Sequence, residues 1–346
     1  MSKMQSHRAM IRTSLVFGLV FSFTAMTTPT AIFAAPGPNY SWTESQLPFQ
    51  PATWALASSF DGSQVFVPSY DGNLYTTADS GQGWTALTPD PTSALSTALK
   101  LGHLSRVYVS NDKAHIYALG FGMNIFSSSD KGISWLANTA APVASWGGLA
   151  SSDDGTHLVA IAYNGFIYTS VDAGLSWTEH RDLKSGWYGI TSSSNGKYLS
   201  AVAWAGYIYT SKNFGQSWTI RKSAGRRNWY SVASSSDGKY LAAVVTVKGY
   251  LYTSNNYGAT WTARKSAGLA SWEGLAMSSD GKKIIASGTT SAAFIRSSDD
   301  RGVSWTKKKI INSKSSGTVV MSKDGTRVFG ATTSGNFYVG TLEATN

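Results

Sequence analysis

A stretch of 35 residues, Trp187 to Arg221, recurs along most of this chain and sharply limits what it can fold into. It reads as four short runs, Trp187–Ser192, Tyr198–Trp204, Tyr207–Ser211 and Ser217–Arg221. Asn195-Gly196, Ala205-Gly206 and Lys212–Gln216 lie between them. Runs rich in Val, Ile, Thr, Tyr and Trp and bounded by Gly or Asn are strands joined by tight turns. Four antiparallel strands make one small twisted sheet. Such a sheet cannot bury both faces alone, so copies must stack against one another.

The turn between the first and second strands sets the period. It stands at Asp61-Gly62, Asp154-Gly155, Asn195-Gly196, Asp237-Gly238, Asp280-Gly281 and Asp324-Gly325, with Asn111-Asp112-Lys113 in one degenerate copy. Successive spacings are 51, 42, 41, 42, 43 and 44 residues, and the long interval holds an insertion near Pro89–Leu104. Seven copies therefore occupy the chain from about residue 39 to residue 343. The seventh has three strands, from Thr318 to Val339. Its missing partner matches Tyr40–Glu44, so the N-terminal strand is expected to complete the last sheet and leave no open seam.

The first 35 residues follow another plan. Lys3, Arg8 and Arg12 precede the apolar run Leu15 to Met26, and a second apolar patch ends at Ala34-Ala35 before Pro36-Gly37-Pro38. A basic start, an apolar middle and small exit residues describe a secretory signal peptide. The 12-residue run is short for a membrane span, which needs about 20. Residues 1–35 are thus read as a leader and 36–346 as the folded part, placed in the periplasm or outside the cell. N-terminal sequencing of exported material should begin near Ala35 or Pro36. An intact Met1 on membrane-bound protein would overturn this reading.

Composition bounds the chemistry. There is no cysteine, so no disulfide, thiolate metal site or cysteine nucleophile exists. Charged residues make up 14%, against about 25% in ordinary domains. Beyond the leader 26 basic residues face 19 acidic ones, a net +7 that favours anionic partners without naming one.

A second landmark joins the third strand to the fourth: Ser/Thr-x-Asp/Asn-x-Gly-x-Ser/Thr-Trp. It ends at Trp84, Trp135, Trp177, Trp218, Trp261 and Trp305, with Gly83 replacing the last Ser/Thr in the first copy. The Asp or Asn side chain can bind the turn's own backbone, the Gly takes a conformation other residues resist, and the Trp anchors the turn. These boxes resemble the Asp-box (bacterial neuraminidase) repeat of sialidases, sortilin-type ectodomains and photosystem II assembly-factor-like proteins. The resemblance implies a β-propeller, and with the seven copies counted above the expectation is an all-β, seven-bladed propeller of four-stranded antiparallel blades. It also implies that the boxes are structural and lie on the outer rim.

Fold of this kind does not fix function. Most carboxylates belong to the repeated turns and boxes. Those left over include Asp71, Asp182, Glu179 and Glu273, the candidates for an alternative glycoside hydrolase reading. Sialidases resemble one another in a Tyr nucleophile supported by Glu, an arginine triad and an Arg-Ile-Pro motif. This chain has no Arg-Ile-Pro. Its histidines are scattered, and no metal or cofactor is expected.

Propeller topology puts fourth-to-first and second-to-third connections on one face, and the Asp-Gly turns and boxes on the other. The first face collects the basic segments after each box, with Arg181, Arg221, Arg226, Arg227 and Arg264, and then a repeated Trp at Trp187, Trp229 and Trp272. Trp54 and Trp146 stand at the matching place in other blades. Two readings of these residues stay open. The Trp side chains pack between blades while the charges are a solvated rim. Alternatively, the eight residues bind a glycan or anionic partner by stacking and charge. The expectation is a monomeric, non-catalytic binding module for such a partner, or for a protein as an assembly or scaffolding factor. Nucleic acid is not expected as a partner.

Overall fold

The computed structural model describes residues 39–51, 56–71, 73–87, 95–97, 104–110, 115–309, 317–332 and 334–343. The leader, Trp54, Asp90, His103 and the Asn111-Asp112-Lys113 turn lie outside the described residues.

Seven four-stranded antiparallel sheets follow one another in chain order. Six are consecutive: blade one spans 57–87, blade two 104–138, blade three 146–185, blade four 187–221, blade five 229–264 and blade six 271–309. Blade seven combines Thr318–Met321, Arg327–Ala331 and Asn336–Leu342 with the N-terminal strand Tyr40–Gln46. That strand pairs from Tyr40 opposite Leu342 to Gln46 opposite Asn336, so the expected closure is the one observed. The first strands of neighbouring blades touch around the whole ring, the seventh meeting the first. No helix among the described residues is long and apolar enough to cross a membrane.

Sequence explains the layering within a blade. Second strands such as Leu158–Ala162, Leu199–Ala203 and Leu241–Val245 are buried at every residue, because neighbouring blades cover both faces. Their alanines let the sheets approach. Fourth strands such as Thr219–Arg221 and Thr262–Arg264 are short, polar and partly exposed, which suits an outer edge.

Each box is a self-contained turn. In the second, Ser128 Oγ donates to Asp130 Oδ1 (2.8 Å) and receives the Gly132 N–H (2.7 Å), while Ser134 N–H donates to Asp130 Oδ1 (2.8 Å). Trp135 Nε1 closes the turn on the Gly132 carbonyl (3.0 Å). Two consecutive residues adopt left-handed backbone, Lys131 at φ 62° and Gly132 at φ 89°. A side chain on Gly132 would also meet Leu87 at 2.9 Å, so blade one packs directly on this turn.

The boxes make an acid-sensitive element. Hydrogen bonds from Ser134 and Ser176 hold the Asp130 and Asp172 carboxyls down at about 2, from an ordinary 3.8. A lowered folded-state pKa means that this stabilisation is complete above about pH 4 and is lost as pH falls through 2. Asn already occupies the equivalent place at Asn213 and Asn256. Asp130→Asn/Asp172→Asn should therefore lose less melting temperature between pH 5 and pH 2 than the parent. An unchanged loss would show that these two carboxylates do not govern acid unfolding.

Candidate functional site

The first strand of a blade lines the central channel, and its opening residues set the channel mouth. In five successive blades this strand carries a bulge. The register slips between Leu104 and Arg106, Trp146 and Gly148, Trp187 and Gly189, Trp229 and Ser231, and Trp272 and Gly274. A bulge leaves one residue unpaired and re-aims its side chain. In blades four, five and six the skipped residues are Tyr188, Tyr230 and Glu273, and all three line a central cavity of about 360 Å³. Arg106 lines it from blade two.

Aromatic rings run unbroken beside this cavity. Phe121 stacks on Tyr163 (5.4 Å), Tyr163 meets Tyr188 edge-on (5.1 Å), and Tyr188 touches Trp204 (5.1 Å) and Tyr230 (5.5 Å). Phe121, Tyr163 and Trp204 come from turns between second and third strands. Blade three has Gly147 at its bulge, where a Cβ would meet the Tyr163 ring at 3.4 Å, so the missing side chain makes room for that ring. Phe121 and Trp204 are exposed, and the three tyrosines are half-buried. Burial raises the Tyr163 and Tyr230 phenols, with the Arg106 charge pulling both back. Glu273 accepts from the Gly317 N–H (3.0 Å) and the Thr289 hydroxyl (3.4 Å).

The far end of the channel is drawn in. Backbone N–H groups reach from blade to blade, Asp153 to the Ser194 carbonyl, Ser194 to Ser236, Ser236 to Ser279, Ser279 to Lys323 and Lys323 to Phe60, at 2.6–2.8 Å. The Lys323 ammonium, which lines the cavity, crosses from blade seven to Asp153 of blade three at 3.0 Å.

The structure corrects the reading of the repeated tryptophans as a ligand platform. Trp187, Trp229 and Trp272 are 0% exposed. Each lies edge-on to an aromatic of its own third strand, Tyr209 (4.9 Å), Tyr252 (5.1 Å) and Phe294 (5.6 Å). The indole N–H groups donate to the carbonyls of Leu183, Gly225 and Gly249. Trp187 shares a cluster with Val159 and Ile161 of blade three as well as Leu199 and Ala201 of its own blade. Trp146 behaves alike. These rings are wedges between blades.

The five arginines do not converge either. Arg181 is exposed on the outer strand and pairs with Glu179 (2.7 Å). Arg221 and Arg264 are half-buried and donate from Nε to Thr210 (2.7 Å) and Thr253 (2.6 Å). Arg226 donates to the Ala205 carbonyl, and Arg227 lies over Tyr252 at 4.9 Å. None of the five lines the central cavity. Of the four spare carboxylates, Glu273 reaches the cavity. Asp71 bonds Tyr75 (2.7 Å), Glu179 bonds Tyr168 (2.9 Å), and Asp182 is exposed on the rim. Sequence reasoning passed over Tyr188, Tyr230 and Arg106. The two tyrosines each stand just after a repeated Trp, a place that marks them without saying which way they turn, whereas Arg106 follows Leu104-Ser105 and had no such mark.

No family model matches the chain, and no curated protein matches it in sequence. Solved structures match in shape. The GH74 enzyme of Niastella koreensis superposes with a TM-score of 0.68 at 18% identity, covering 86% of this chain and 53% of that one. YCF48 bound to D1 peptide gives 0.66 at 17% identity, covering 89% and 99%. A chain of the mitotic checkpoint complex gives 0.69 at 15% identity, covering 96% and 99%. This chain spans about half the length of the GH74 enzyme. At such identities the likeness concerns the fold alone, and it agrees with the propeller.

If the tryptophans are wedges, Trp187→Ala should lower unfolding free energy by about 3–5 kcal/mol, as truncation of a buried Trp does. Urea denaturation reads this directly. A variant as stable as the parent would return Trp187 to the list of ligand contacts.

Proposed function

We propose that this protein is a non-catalytic binding module that seats an extended segment of a partner protein at the channel mouth. The observation that carries the reading is the unbroken aromatic arc from Phe121 to Tyr230, set beside a cavity with Arg106 and Glu273 on its wall. Aromatic rings supply contact area at small entropic cost, and the two opposite charges can hold a side chain or backbone ends in register. The likeness to YCF48, solved with a peptide, supports this class of partner by analogy of fold.

A glycoside hydrolase is the weaker reading. Among the described cavity residues Glu273 is the one carboxylate, whereas a general acid and base need two. The sialidase variant would use a Tyr nucleophile. Tyr230 stands near Glu273, yet burial raises its phenol, which keeps it protonated and a poor nucleophile. Sugar binding without hydrolysis is the second reading, favoured by half-buried tyrosines beside a carboxylate.

The test is selection of a displayed peptide library on the parent and on Tyr188→Ala/Tyr230→Ala, with melting curves for both. Peptides selected on the parent should bind the variant roughly ten-fold more weakly, since each aromatic contact is worth about 0.5–1.5 kcal/mol. Equal binding by a folded variant would remove the mouth as the site. A glycan array that yields ligands where the peptide library yields none would favour the second reading.

A further inference from the structure

The sequence groups basic residues on blades four to six, and the structure assembles part of that charge away from the channel. Arg221 and Arg264 occupy the same register position in successive blades, opposite Ile208 and Leu251. Each is pinned through Nε by a threonine of the neighbouring strand. Those threonines in turn lie against the box of the next blade. A Cβ on Gly258 would meet Thr210 at 2.8 Å, and one on Gly302 would meet Thr253 at 3.1 Å. Each arginine therefore sits in a groove between two blades on the outer rim.

The groove between blades five and six is a cavity of about 370 Å³, with Arg264, Arg301, Tyr240, Thr253, Thr262 and Asp300 on its wall. Arg301 lies over the Tyr240 ring at 4.4 Å, and the Lys239 ammonium stands 5.4 Å from the same ring. The Arg301 Nε is buried with no hydrogen-bond partner. Asp300, the acid on this wall, is turned inward and accepts from Ser298, Val303 and Ser304. Beyond the wall, Asp280 stands 4.0 Å from Lys282, and Asp237 accepts from Ser235 and the Lys239 N–H.

The groove between blades four and five repeats the pattern with fewer acids. Lys197 lies over Tyr198 (5.5 Å), Tyr198 meets Tyr257 (4.6 Å), and Lys212 lies over Tyr257 (5.8 Å). Here the turn and both boxes carry Asn195, Asn213 and Asn256 where other blades have Asp. No carboxylate of the described residues stands in ion-pair range of Lys197, Lys212, Lys239 or Arg301. One blade earlier the arginine position is His180 and the ring pair is His157 with Phe214, and one blade later it is Lys308 opposite Ile295, so the arginine with its threonine partner belongs to these two grooves.

We propose that these two grooves form a second binding site, separate from the channel mouth, for an oligosaccharide bearing sulfate or phosphate esters. Arg221 and Arg264 at the floors take one ester each. Lys197, Lys212, Lys239 and Arg301 stand at the lips. A guanidinium pinned at Nε keeps its outer edge free for two parallel hydrogen bonds to a tetrahedral oxyanion. The tyrosine faces supply stacking surface for sugar rings. Two like sites one blade apart suit a repeating chain, which gains by avidity. Burial lowers the Arg221 and Arg264 pKa values, with the Asp300 charge pulling Arg264 partly back, and a bound anion would offset the cost of that burial, most of all at Arg221.

The experiment measures binding of the full chain to dextran sulfate, phosphorylated dextran and plain dextran of matched length, by biolayer interferometry at low and at raised salt. The parent should bind at least one esterified form, and more weakly as salt rises. Whichever esterified form binds more tightly names the source of the oxyanion. Arg221→Ala/Arg264→Ala should lose at least about ten-fold in affinity, as loss of charge-assisted hydrogen bonds does. Lys197→Ala/Lys239→Ala, which removes only exposed side chains, should also lose affinity and guards against a folding defect in the first variant. Arg181→Ala/Lys184→Ala makes the same charge change outside the grooves and should lose less than about two-fold. Equal losses in all three variants, equal binding of plain dextran, or no binding of either ester overturns the proposal. Tyr188→Ala/Tyr230→Ala should bind the esterified dextrans normally, which keeps this test independent of the channel mouth.

Discussion

Burial of one tryptophan per blade boundary, at Trp146, Trp187, Trp229 and Trp272, is the interaction on which the packing of blades three to six depends. A four-stranded blade has two apolar faces and no core of its own, so its stability resides in what lies between it and its neighbours. A wide flat side chain at the start of the innermost strand fills the wedge left where two twisted sheets diverge. Its one polar atom is satisfied by a backbone carbonyl, so burial leaves no donor stranded.

The same wedge prepares the candidate site. Holding Trp187 inward and restoring strand pairing at Gly189 leaves Tyr188 without a place in the ladder, and it is turned toward the axis. Repeated over blades, this offset converts a packing device into a ring of side chains at the mouth. Evolution can then vary the bulged residue, Gly147, Tyr188, Tyr230 or Glu273, without disturbing the wedge beside it.

The architecture was legible in the sequence because turns and boxes are local. Asp-Gly pairs and Ser-x-Asp-x-Gly patterns act within eight residues, and their spacing counted the blades. The strand Trp187–Ser192 is observed with the expected ends, and Tyr198–Trp204 is shortened to Leu199–Ala203. Closure by Tyr40–Glu44 followed from counting strands, and the observed strand runs on to Gln46. The site was not legible for a geometric reason. A strand's two faces alternate, so a Trp followed by a Tyr tells only that they diverge, and the bulge that decides which one meets the channel has no residue signature here. The repeated Trp drew attention, and the residue beside it faced the cavity. Arg221 and Arg264 read as companions of those tryptophans, but the outer strand carries them to the rim.

The pairing of Tyr40–Gln46 with Asn336–Leu342 ties strands that are about 300 residues apart in sequence. Such a contact forms late, because closing so long a loop must precede any gain from it. Six blades can assemble from local pairings as the chain emerges, but the ring remains an open arc with bare sheet edges until the last strand arrives. Truncation anywhere before residue 336 would leave the N-terminal strand without its partner, so the closing strand doubles as a check that the polypeptide is whole.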